Sequence, residues 1–213
     1  MPLRDYHERL WEGLPEGLAP PALELRRAFL REHLGALAAQ AGMAALDVGC
    51  GEGQLTAELA AAGLTVVGID VAEEPLRRAR ANHPGLDLRL VPAEGPWPFT
   101  DASFDLVWAG ETIEHVADTA AWLSEVRRVL RSGGTLLLST PAHGPLTVAA
   151  LALSPRAFDA HFDPRSDHLR FYTARSLSAL IADFGFHDIR VRALGGVPGA
   201  RRTLLAAARR SRF

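Results

Sequence analysis

The chain has 213 residues, 48% of them apolar, and a formal charge of −2. That length fits one domain with a full core, and the near-neutral charge gives no global attraction to nucleic acid. A single cysteine, Cys50, excludes an internal disulfide framework, no apolar run reaches membrane-spanning length, and the lack of any lysine excludes a Walker A phosphate lysine and Schiff-base chemistry.

The start, Met1-Pro2-Leu3-Arg4-Asp5, lacks a charged-then-apolar leader pattern, so a cytoplasmic location is expected. Residues 1–42 read as a helical cap. Within it, 22–41 carries Leu23, Arg26, Arg27, Phe29, Leu30, Leu34 and Leu37 at near-helical recurrence, with Pro20-Pro21 at the entry and Gly42 at the exit. From Met43 strand and helix alternate, the pattern of a parallel sheet covered by helices. Strands are predicted at 44–48, 65–69, 87–91, 104–108 and 135–139, and helices at 54–62, 74–82 and 117–130. Pro145, Pro155 and Pro164 then interrupt the pattern, so a less regular insert is expected at 141–170. A last helix at 174–184 and two β-like runs at 188–193 and 202–207 follow. The arginines at 201, 202, 209, 210 and 212 read as a solvated basic tail.

Between the first strand and its helix lies Leu46-Asp47-Val48-Gly49-Cys50-Gly51-Glu52-Gly53. A dinucleotide fingerprint places its third glycine five residues after the first, but position 54 is Gln. A nicotinamide oxidoreductase is therefore disfavoured. Gly49 and Gly51 lack a β-carbon, which lets backbone press against a ligand. Asp47 puts a carboxylate near the turn, which suits a cationic ligand better than a phosphate. Asp70 closes the second strand, where its two oxygens can accept both hydroxyl protons of a ribose; the alternative is a plain helix N-cap. A ligand with a ribose, a positive centre and no phosphate fits this set, and S-adenosylmethionine is such a ligand.

These residues resemble motif I of the class I S-adenosylmethionine-dependent methyltransferases. The resemblance continues through Val67-Gly68-Ile69-Asp70, residues 98–107 and residues 130–137, and covers roughly 44–140. It implies one domain over 1–213, with a Rossmann-like, doubly wound seven-stranded sheet, mostly parallel with an antiparallel C-terminal hairpin, plus N-terminal helices. It implies that backbone around Gly49, Cys50 and Gly51 contacts the methionine part, Asp70 the ribose and Val71 the adenine. The Ala109 carbonyl would meet the methionine ammonium. Many relatives have Asp-Ala-Glu after the third strand, whereas this chain has Pro92-Ala93-Glu94. Either Glu94 or the Ala93 backbone then serves the adenine amine, or that contact is lost. Trp97 either covers the adenine face or fills the core. Cys50, with no histidine near it in sequence, reads as a packed loop residue rather than a nucleophile.

After the fourth strand comes Glu111-Thr112-Ile113-Glu114-His115. In a helical turn Glu111, Glu114 and His115 stand at i, i+3 and i+4, on one face. Two carboxylates and an imidazole there suit a divalent metal, or a general base with orienting carboxylates, with His115 and Glu111 as the catalytic candidates. In the structural alternative Glu114 points to solvent and His168 only holds the insert. The pattern resembles that of ubiquinone-biosynthesis O-methyltransferases and of small-RNA 3′-terminal 2′-O-methyltransferases. Residues 167–174 are similar to the latter's downstream segment, with Tyr172 for Trp and Ala174 for Arg. That match adds His168 to Glu111, Glu114 and His115 as a ligand of Mg²⁺, Mn²⁺, Fe²⁺ or Zn²⁺. The expected activity is O-methylation of a small-molecule hydroxyl of catechol, phenol or diol type, under a lid formed by 141–170 and the N-terminal helices. The apolar run at 146–151 favours a partly hydrophobic acceptor, or packs as a lid helix or dimer interface. Rival readings are N- or C-methylation, RNA 3′-end 2′-O-methylation, and a non-catalytic cofactor-binding partner subunit. The remaining histidines (His7, His33, His83, His143, His161 and His187) are expected at the surface or in packing, with His143 and His161 as outside candidates for the acceptor pocket.

Overall fold

The computed structural model describes residues 3–36, 42–92 and 95–212. Its strands are β1 (Ala44–Val48), β2 (Thr65–Asp70), β3 (Asp87–Leu90), β4 (Phe104–Gly110), β5 (Leu130–Pro141), β6 (Phe186–Leu194) and β7 (Thr203–Arg210). They form one seven-stranded sheet in the order β3-β2-β1-β4-β5-β7-β6. β1 to β5 pair in parallel, and β7 runs antiparallel to both β5 and β6. The helices are α1 (Leu3–Gly13), α2 (Leu23–Ala36), α3 (Gln54–Ala61), α4 (Glu73–Asn82), α5 (Thr119–Val129), α6 (Pro145–Ala152), α7 (Pro155–His161) and α8 (Ala174–Asp183). Among the described residues no helix is long and apolar enough to cross a membrane.

Both faces of the sheet are covered, because alternate strand residues feed opposite cores. Leu46, Val107, Leu136 and Leu138 pack with Trp122 and Val126 of α5 and Ile181 of α8. Their neighbours Ala45, Leu106, Trp108 and Leu137 pack on the other face with Phe29 and Leu30 of α2 and Leu55 and Leu59 of α3. The strand order reverses between β1 and β4, the switch point where doubly wound sheets open a crevice beyond the strand ends. The loops after β1, β2 and β4 all empty into it.

The expected N-terminal helices are α1 and α2, parted where Pro15, Pro20 and Pro21 withhold backbone donors; of the helix expected at 22–41, residues 37–41 lie outside the described set. Two elements differ from the sequence reading. In the insert, Pro145 and Pro155 open α6 and α7 rather than breaking structure, since the first helical turn has no use for the missing N–H. The fifth strand, expected at 135–139, runs from Leu130 to Pro141, with a register shift opposite Phe104 and Leu106 that takes up the extra residues.

Candidate active site

The glycine turn is tied to the end of β2. The N–H groups of Gly49 and Cys50 donate to the Ile69 carbonyl at 2.9 and 3.0 Å, and Gly51 N–H donates to Asp70 Oδ2 at 3.0 Å. Ala72 N–H donates to Asp70 Oδ1 at 3.0 Å and the Val71 backbone also acts on the carboxylate, so both oxygens are held in place. Burial raises the Asp70 carboxyl above its ordinary range, against the pull of those N–H donors. A β-carbon on Gly49, where φ is +71°, would stand 2.5 Å from Thr112 Oγ1, and one on Gly51 would touch the Trp11 ring at 3.2 Å. Only glycine leaves this cradle open.

Two joined cavities lie over the strand ends. The smaller, about 190 Å³, is bounded by Asp70, Val71, Trp97, Thr112 and, from α1, His7 and Trp11. The larger, about 710 Å³, is bounded by Arg26, Gly51, Glu114, His168 and Arg202. Gly49, Glu111 and His115 border both, so the cavities meet there.

At that junction Glu111, the residue after β4, lies in the left-handed region at φ +55°, an uncommon conformation for a side-chain-bearing residue. Ser139 holds it: Glu111 N–H donates to the Ser139 carbonyl at 3.0 Å, and the Ser139 hydroxyl donates to Glu111 Oε1 at 2.7 Å. A three-residue 3₁₀ turn, Ile113–His115, follows. The one-face arrangement expected for Glu111, Glu114 and His115 is therefore not formed, because Glu111 precedes the turn and Glu114 points inward. Glu114 is fully buried, which overturns the solvent-facing alternative. Thr140 donates to its Oε2 at 3.0 Å, while Oε1 is buried without a partner. Burial, together with Glu111, pushes the Glu114 carboxyl up to about 8. Its carbonyl accepts from Leu169 and Arg170, which fastens the end of the insert to the turn.

That fastening brings the His168 ring to 4.9 Å from His115, centre to centre. His115 Nδ1 lies 3.0 Å from the Asp167 carbonyl, which assigns the ring proton to Nδ1 and leaves Nε2 a lone pair 3.9 Å from Glu114 Oε1. Burial lowers the His115 pKa as it raises that of Glu114, and both shifts work against an ion pair between them. Glu114, His115 and His168 bring one donor atom each within 4.8 Å of one another; Glu111 stands apart from that group.

Other expected residues separate. Asp47 borders neither cavity: it is buried, takes the Thr56 hydroxyl at 2.6 Å, and burial pushes it up to about 7. Ala109 lies inside β4, and its neighbour Gly110 reaches the cavity instead. Cys50 does border the larger cavity while packing against Leu76 and Leu88, and burial raises its thiol well above the ordinary range. Trp97 packs in the core and also borders the smaller cavity. Ala93 and Glu94 lie outside the described residues. His143 and His161 border neither cavity.

Arg26 was missed. It is buried at the larger cavity, donates to the Pro21 carbonyl at 2.6 Å, and leaves Nε without a partner. Glu111, Asp47 and Glu114 act on it electrostatically. A cation on the apolar stripe with Leu23, Leu30 and Leu34 was the available signal. His7, Trp11 and Thr112 had none, because long-range packing brings them in.

A family model described as a methyltransferase domain matches residues 46–138. The ubiquinone biosynthesis O-methyltransferase of Ruegeria sp. (strain TM1040) is 35% identical over 155 residues, covering 70% of this chain. The chain spans 62% of that relative's length. A solved S-adenosylmethionine-dependent methyltransferase from Methanosarcina mazei is similar with a TM-score of 0.64 and 25% identity, over 84% of this chain and 97% of that one. Phosphoethanolamine N-methyltransferase 2 of Haemonchus contortus, solved with S-adenosyl-L-methionine, gives a TM-score of 0.77 at 19% identity over 99% of this chain and 60% of that one, a likeness of fold.

Proposed function

The chain belongs to the class I S-adenosylmethionine-dependent methyltransferases, and on that premise we propose that it methylates a hydroxyl of a small molecule of catechol, phenol or diol type. The observation that carries this reading is the junction of the two cavities at Gly49, Glu111 and His115. There a glycine cradle and an imidazole with a free lone pair share one space.

The residues fit S-adenosylmethionine. Asp70 would take the ribose hydroxyls, and Val71 would lie against adenine, with the unpartnered Trp97 Nε1–H as a donor to a ring nitrogen. The orphaned Arg26 Nε suits the methionine carboxylate, and the backbone around Gly49–Gly51 suits its ammonium end. Once bound, this group supplies a methyl carbon made electrophilic by the sulfonium. Leu10, Trp11 and Leu14 exclude water from above. His115 Nε2 takes the proton of the acceptor hydroxyl, and Asp167 steadies the imidazolium through Nδ1. Glu111, fixed by Ser139, orients the acceptor.

Glu114, His115 and His168 also fit a divalent cation such as Mg²⁺, Mn²⁺, Fe²⁺ or Zn²⁺, and the orphaned Glu114 Oε1 supports this. When bound, the cation would supply Lewis-acid lowering of the acceptor hydroxyl pKa.

The test is a turnover screen over catechols, phenols, sugars and short RNAs, with and without EDTA, reading S-adenosylhomocysteine release. The expected result is release with a vicinal diol and a fall in kcat of about 100-fold in His115→Gln. Release only with an amine acceptor, or none with any acceptor, overturns the reading. An EDTA-insensitive rate that His168→Ala leaves intact removes the metal.

A further inference from the structure

A second pair of histidines lies in the insert, away from both cavities. His143 follows the end of β5, its N–H donating to the Tyr172 carbonyl at 2.9 Å, and His161 ends α7. Their rings are 5.2 Å apart, centre to centre, and inclined at 53°. Phe171 walls both, at 4.9 and 5.6 Å. His143 Nδ1 and His161 Nε2 are each fully buried with no hydrogen-bond partner, and so is Thr147 Oγ1 on α6 between them in sequence. Three of the seven such side-chain atoms among the described residues thus fall within 143–161. Leaving a buried polar atom unpaired costs about 1–3 kcal/mol, so three in one insert ask for an occupant.

The donors say which occupant. No carboxylate is hydrogen-bonded or ion-paired to either ring among the described residues, which disfavours the oxygen-seeking Mg²⁺ and Ca²⁺. Burial, with His161 and His168 nearby, lowers the His143 pKa against the pull of the Tyr172 and Pro141 backbone, a direction that favours the neutral ring a ligand needs. Two imidazoles on one tetrahedral ion at ~2.0–2.1 Å have ring centres about 5 Å apart, the separation found here.

We propose that His143 and His161 form a binding site for a transition-metal cation of the Zn²⁺ class, with water completing its shell. The ion ties the end of α7 to the end of β5 and so fixes the insert in place. This site is separate from Glu114, His115 and His168 and stands whether or not those residues bind metal.

The experiment titrates Zn²⁺ by calorimetry and Co²⁺ by visible absorption into the full chain carrying His168→Ala, which removes a donor from the other group. One Zn²⁺ per chain and tetrahedral Co²⁺ bands are expected, and adding His161→Gln weakens Zn²⁺ at least about 10-fold and abolishes the bands. His161 is the half-buried member of the pair, so its replacement spares the core; His143→Gln gives the same loss. No binding in the His168→Ala chain, or binding unchanged by His161→Gln, overturns the site.

Discussion

At Gly49 a single methyl group separates an open cradle from a closed one. Its φ of +71° and the 2.5 Å approach to Thr112 Oγ1 mean that Gly49→Ala strains the turn and displaces Thr112 from the Val48 carbonyl. The variant is expected to lose about 1–2 kcal/mol of stability in urea unfolding, and at least about tenfold in S-adenosylhomocysteine affinity. Asp47 gives a different signature. Burial pushes it up to about 7, above the ~3.9 of an unfolded chain, so the folded protein holds a proton that the unfolded chain releases. Stability therefore falls as pH rises from about 4 to about 7, and the loss is complete above that. Asp47→Asn keeps an acceptor for Thr56 and removes the titration, so between pH 5 and pH 8 the wild type should lose more stability than the variant, by an amount on the order of 1 kcal/mol per pKa unit. Parallel pH profiles would contradict the assignment. Gly49, Gly51 and Asp70 were legible in the sequence because backbone geometry alone makes their case. The turn of Asp47 toward Thr56 and away from both cavities was not legible, since spacing cannot say which way a strand-end side chain turns.

At the scale of elements, α1 is the feature least visible in the sequence and closest to the site. Helix α4 begins after Ala72, which has no side-chain cap to offer its first N–H groups. Glu8 of α1 supplies one from far away, accepting from the N–H groups of Glu73 and Glu74 at 2.7 and 2.9 Å. Arg78 of α4 answers by donating to the carbonyls of Trp11 and Leu14 at 2.8 and 2.9 Å and pairing with buried Glu52 of the glycine turn at 3.2 Å. Polar ties therefore hold α1 over the smaller cavity. Glu8→Ala should cost about 1–2 kcal/mol and speed S-adenosylhomocysteine release severalfold, read by Trp fluorescence in stopped flow; an unchanged release rate would deny α1 its covering role. The 3₁₀ turn carries a related lesson. The spacing Glu-x-x-Glu-His reads as one helical face, yet Glu111 adopts a left-handed conformation and leaves the turn. The partners that dictate this, Ser139 and Thr140, lie on β5, out of reach of any local pattern.

For the whole molecule, alternating strand and helix made the parallel, helix-covered part of the sheet readable, because each buried strand between amphipathic helices leaves few topologies open, whereas the seventh strand and the antiparallel hairpin were carried by the family resemblance. The insert was not readable in the same way. Its prolines serve as helix starts, and α6 buries none of its residues, so no periodicity reports its packing. What unites the scales is the crevice over β1, β2 and β4, where a cradle without β-carbons faces a buried acid. Calorimetric titration of the full chain with S-adenosylhomocysteine, with NADH as the competitor, examines that crevice directly. One site per chain for S-adenosylhomocysteine, lost on Asp70→Ala and indifferent to NADH, is the predicted result. A chain that ignores the nucleoside, binds it equally well as Asp70→Ala, or prefers the dinucleotide would contradict the account.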